Sequence, residues 1–157
     1  MFSGASRRRF GYDLFNHQKT RNATNTDQYD YNCAGFALGT FSWYCPSYDE
    51  DTWGYFEEWS WKFMQEVTQL AVNKMLRDFA NLRLIHSMSE VRPNEYAVAF
   101  RVSSDGDFHY VRQIEGDVWQ HKPGGGYIRF MEETEVFSEG WCNDRYDGPL
   151  ILFAMGE

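Results

Sequence analysis

The sequence predicts an α+β fold, with helices first and an antiparallel sheet after them. Three observations carry this reading. Phe56, Trp59, Phe63, Val67, Leu70, Ala71, Met75 and Phe79 recur at three- and four-residue steps, the stripe of an amphipathic helix. After about residue 82 the period changes to short β-rich runs bounded by turn residues. The 157 residues show no internal repeat and no linker, which fits one domain able to bury a core without disulfide or metal staples. That domain is expected over residues 29–157, behind a polar lead-in at 1–28.

The elements follow in order. Apolar residues at 33, 36, 37 and 41 predict a helix within 32–44, capped by Asp30 or Asn32 and ended by Cys45-Pro46-Ser47. The long stripe predicts a second helix over 55–80. Strands are expected at 95–103, 107–114, 118–122, 127–130 and 149–155. Glu115-Gly116-Asp117 reads as the turn of a hairpin joining the second and third of these. In its first arm Phe108, Tyr110 and Arg112 fall on one face, and His109, Val111 and Gln113 on the other.

Composition narrows the function classes. The formal net charge is −8, which argues against nucleic acid as a partner, because that affinity comes from Lys and Arg neutralising phosphates. The one basic cluster, Arg7-Arg8-Arg9, reads as a solvated tail. Three cysteines, Cys33, Cys45 and Cys142, do not make a disulfide framework and fit a reducing compartment. No signal-peptide core and no run of membrane-spanning length is present, so a cytoplasmic protein away from the membrane is expected. The cysteines and histidines lack paired Cys-x-x-Cys or His-x-x-x-His spacing, so neither a metal nor another cofactor is expected. Gly124-Gly125-Gly126 lacks the Lys-Ser/Thr of a phosphate loop and reads as a turn beside the site.

Chemistry concentrates on Cys33. A cysteine nucleophile acts as thiolate, and a helix N-terminus or a neighbouring imidazolium lowers its pKa. Cys33 falls in the first turn of the first expected helix. Small Gly35 then offers close access to a substrate carbonyl. Among four histidines, His109 and His121 lie on the two arms of the hairpin. They face each other if the turn centres on residue 115, so that one holds the other in its working tautomer.

Asn32-Cys33-Ala34-Gly35-Phe36-Ala37 resembles the Asp-Cys-Ser-Gly-Leu/Phe-Val signature of the NlpC/P60 cell-wall peptidases, within the papain-like superfamily. In that family the cysteine opens a helix, the base histidine starts a strand, and a third polar residue, often histidine, follows about a dozen residues later. His109 and His121 match that spacing. The resemblance covers the Cys33 segment and residues 107–121. Asn32, Ala34 and Tyr110 depart from the family pattern and loosen the link to its substrate.

The resemblance implies a papain-like domain, with Cys33 as nucleophile, His109 as base and His121 as the orienting residue. Oxyanion and substrate contacts are expected from Gln28, Tyr31, Asn32 and Gly35; of Trp43, Trp53, Trp59 and Trp119, read mainly as core, one or two are expected to wall the cleft, Trp119 among them. The implied activity is hydrolysis of a peptide or amide bond, in a protein or in peptidoglycan; deamidation or transfer through the same thioester fits equally. The layout also looks like that of bacterial and phage proteins, so a virion-associated location is a second expectation. The alternative is a non-catalytic phage or mobile-element protein that keeps the fold and binds a protein partner.

Overall fold

Asn32 starts helix α1 (Cys33–Ala37), its Oδ1 accepting from the Gly35 amide at 3.0 Å. The computed structural model describes residues 28–46, 48–49, 54–55, 64–104 and 106–156. Helix α1 is five residues long, much shorter than the apolar spacing predicts. Gly39 (φ 74°) and Phe41 (φ 54°) turn left-handed, and the Phe41 amide donates to the Gly35 carbonyl at 3.0 Å. The chain therefore folds back over the helix. Asn32 receives the return, with Nδ2 donating to the Tyr44 carbonyl at 2.8 Å.

Two short strands, β1 (Tyr48–Asp49) and β2 (Gly54–Tyr55), pair antiparallel. Helix α2 (Met64–Asp78) buries Met64, Val67, Thr68, Ala71, Val72 and Met75 on one stripe. The expected start at residue 55 is not met, because Tyr55 pairs in β2; residues 56–63 lie outside the described residues. Most of the polar lead-in, with Arg7-Arg8-Arg9, lies outside them too. Tyr44 and Lys74 both donate to Asp78 Oδ2, at 2.7 and 2.8 Å, which ties the end of α2 to the segment after α1.

The main sheet has six strands: β3 (Leu82–Ile85), β4 (Glu95–Val102), β5 (Phe108–Glu115), β6 (Val118–His121), β7 (Arg129–Met131) and β8 (Ile151–Gly156). Their order is β3-β8-β4-β5-β6-β7, with every neighbouring pair antiparallel. The class is α+β. Strand β3 and the short helix α3 (Glu133–Val136) were not expected from the sequence.

Alternation along β4 divides the core. Tyr96, Val98, Phe100 and Val102 pack with Tyr110, Ala34, Ala37 and α2 on one face. Ala97 and Ala99 face the other side, with Val111, Trp119, Val136, Trp141 and Tyr146. Burying a side chain such as Phe100 contributes about 1.5–3 kcal/mol. Both faces are covered, so β4 is buried along its whole length. Among the described residues no helix is long and apolar enough to cross a membrane.

Candidate functional site

The two histidines meet, but not as direct partners. Strands β5 and β6 pair through Arg112↔Gln120, Gln113↔Trp119 and Glu115↔Val118, with a bulge between Gln113 and Glu115. The turn falls on Gly116 (φ 56°) and Asp117, later than a centre at residue 115. Extending this register places His121 opposite Val111, so His109 is its diagonal neighbour on the same face. Diagonal side chains still meet when both are long. The rings stand 5.0 Å apart at 80°, with His109 Nε2 2.7 Å from His121 Nδ1.

His109 is buried and stacks on Tyr146 at 5.1 Å and 25°, with Trp141 edge-on at 6.1 Å. Burial pushes its pKa down to about 3, and charge on His121 or Arg145 adds to the effect. Burial also lowers His121, against the opposing influence of Glu135. The pair is therefore neutral at neutral pH, with one proton between the facing nitrogens.

Cys33 is the first residue of α1, and it shares a cleft of about 320 Å³ with His109. Asp107, Tyr146, Arg145 and Trp43 also line this cleft. Burial pushes the Cys33 thiol up to about 12, outweighing the nearby backbone amides of Tyr110, Ala34 and Cys33 itself, while Asp107 raises it further. The expected lowering by the helix start comes from the Ala34 and Cys33 amides, but burial outweighs it. A five-residue helix carries a small dipole, and desolvation is the larger effect.

The remaining expected residues serve mainly to build the site. Gln28 Nε2 donates to the Gly125 carbonyl at 3.1 Å, so it braces the glycine turn and does not reach into the cleft. Tyr31 is buried under Lys122, whose Nζ lies 4.5 Å from the ring and donates to the Tyr31 carbonyl at 2.5 Å. Lys122 also donates to the carbonyls of Gln28 and Gly124. Asn32 lines the cleft as the α1 cap.

Beyond Gln28 and Tyr31, which lie outside the cleft lining, two more expectations are corrected. Gly35 gives no substrate access: a Cβ there would lie 1.9 Å from the Ser42 carbonyl oxygen, so glycine lets the returning chain pass. Trp119 does not wall the cleft. It is fully buried in the second core, its Nε1 donating to Glu133 at 3.0 Å. Trp43 does line the cleft, as do Pro123 and Gly124 of the glycine turn.

Sequence reasoning passed over Asp107, Arg145, Tyr146 and Cys142. Asp107 Oδ2 accepts from the Tyr146 hydroxyl and from Arg145, both at 2.9 Å, at the wall of the cleft. The loop that carries Arg145 and Tyr146 is closed by backbone bonds between Trp141 and Tyr146 at 3.1 and 3.2 Å. Within it Cys142, Asn143 and Asp144 all take left-handed backbone (φ 56°, 59° and 63°). Such a run costs on the order of 1 kcal/mol per residue. One signal in the sequence was Asp107, two residues before His109. The loop residues have no periodicity that points to the site.

No family model, no curated protein and no solved structure matches this chain.

Proposed function

We propose that the chain is a papain-like thiol hydrolase resembling the NlpC/P60 peptidases, acting on a peptide or amide bond. What carries this reading is the shared cleft: Cys33 and His109 form its wall, and the far nitrogen of His109 is held by His121 at 2.7 Å. Donation of Nε2–H to His121 leaves the Nδ1 lone pair of His109 as the base. With thiol and imidazole both neutral at rest, the proton leaves sulfur as Cys33 attacks the carbonyl, and His109 then returns it to the leaving amine. Water hydrolyses the thioester. A peptidoglycan stem peptide and a protein amide both fit this chemistry.

A second reading draws support from the burial of Cys33. A thiol raised to about 12 suits a silent site in a non-catalytic phage or mobile-element protein that binds a partner.

Labelling with an electrophilic thiol probe separates the two. The hydrolase reading expects Cys33 to be modified in the unaltered chain and the rate to fall at least a hundredfold in His109→Ala, with Cys33→Ala unlabelled at that position. Equal Cys33 labelling with and without the His109 ring would leave the non-catalytic reading standing.

A further inference from the structure

We propose that His109, His121 and Cys142 form a binding site for a zinc-like divalent cation, and that occupancy switches off the base. The clause about the base rests on the thiol-hydrolase reading; the metal site does not. One ligand atom from each of the three residues lies within 4.8 Å of the other two. His109 Nε2 and His121 Nδ1 face each other at 2.7 Å, so the two ring nitrogens already converge on one point, and loss of the proton between them gives both a lone pair directed there. The strained turn at Cys142–Asp144 brings the third residue to them.

The ligand set selects the ion. Two imidazoles and a thiolate suit zinc or another borderline-soft cation, and exclude magnesium and calcium, which take oxygen ligands. Zinc–nitrogen bonds of about 2.0–2.1 Å at tetrahedral angles set the nitrogens roughly 3.3 Å apart, so the rings part by about half an ångström. Three protein ligands leave a fourth position for water. Glu135 stands next to this set: its Oε2 accepts from the Cys142 amide at 3.1 Å. With one thiolate ligand the ion keeps a net positive charge, and the Glu135 carboxylate offsets it.

The protons balance as follows. Cys142 loses its S–H proton to solvent and its sulfur binds the metal. His121 coordinates through Nδ1 and keeps its proton on Nε2. His109 coordinates through Nε2, so its single ring proton moves to Nδ1. That nitrogen then has no lone pair for the Cys33 proton. The loaded form keeps the cleft but loses its base.

Zinc titration of the full Cys33→Ala chain, in competition with a chromophoric chelator, tests the site without using the nucleophile. One equivalent should bind, and Cys142→Ser or His121→Asn should each weaken it at least a hundredfold, while Cys45→Ser leaves it unchanged. Cobalt should give a thiolate charge-transfer absorption that Cys142→Ser removes. In the chain with no substitution, zinc should slow alkylation of Cys142 at least tenfold and leave Cys45 unaffected, a readout independent of any variant's folding. Absence of one-equivalent binding, affinity indifferent to Cys142 and His121, or unprotected Cys142 would overturn the proposal. If zinc binds as described but Cys33 never reacts with the probe, the metal site stands and the hydrolase reading fails.

Discussion

His109 and His121 share their hydrogen bond across a diagonal of the β5–β6 hairpin, not across a cross-strand pair. The contact therefore depends on the length and reach of both rings. Removing the base ring costs a general-base contribution of roughly 10²- to 10⁴-fold. His121→Phe keeps the base and frees its tautomer, so Cys33 labelling should fall less, by about tenfold. His121→Asn, which still offers a polar partner, should recover part of it. Rates in the two variants that match the unaltered chain would remove His121 from the proposed mechanism.

The buried histidines make the fold sensitive to acid. An unfolded chain takes up a proton at residue 109 near pH 6.5, while the folded chain refuses it until about pH 3. The unfolded state thus binds more protons within that window, and stability falls as pH falls through it. Between pH 7 and 5 the loss from this group is about 2 kcal/mol. Urea unfolding at both pH values should show that extra loss in the unaltered chain and a flatter response in His109→Gln. Identical pH responses would show that residue 109 is not held neutral.

Lys122 clamps the segment that leads into Cys33. Its ammonium donates to the carbonyls of Gln28, Tyr31 and Gly124 and sits against the Tyr31 ring. Lys122→Met keeps much of the volume and removes those donors. Buried acceptors that lose a donor cost about 1–3 kcal/mol each, so a loss of roughly 3 kcal/mol is expected. Amide exchange at residues 28–33 should quicken more than in β4. Uniform exchange changes across the chain would argue against a local clamp.

Gly35→Ala separates two opposing effects. Helix propensity alone favours alanine by about 1 kcal/mol. The Ser42 carbonyl oxygen, 1.9 Å from where the Cβ would lie, forces the returning backbone away. Overpacking of that kind costs about 1–3 kcal/mol, and backbone on both sides leaves little room to relax. The variant should melt at a lower temperature; a higher melting temperature would show that the 40–44 segment moves aside easily.

Much of the framework was readable before the structure. The stripe through Val67, Ala71 and Met75 marks α2, and the β-rich runs around Val98, Val111, Trp119 and Phe153 mark β4, β5, β6 and β8. Strand β3 was hidden because Leu82–Ile85 is only four residues long and follows a helix directly. The short span of α1 turns on left-handed Gly39 and Phe41, and a phenylalanine gives no sign of that conformation. At the site, Cys33, His109 and His121 were readable as residue types, and the expectation that the histidines meet was right for the wrong register. The thiol's burial was not readable, since it comes from long-range packing in the core that Cys33 shares with residues such as Val102 and Tyr110. Cys142 and Tyr146 reach His109 only through the fold of a loop.

The position of β8 sets a timetable for the nascent chain. Residues 151–156 run between β3 and β4, so strand β4 gains its second neighbour only after they have left the ribosome. Until then the β5–β6 hairpin has an unfinished sheet behind it, and the β4 edge that Phe153 and Ala154 later pair is open. The cleft consequently matures only once residues 151–156 have emerged, and a chain stopped before Ile151 exposes an unpaired β4 edge behind an unfinished cleft.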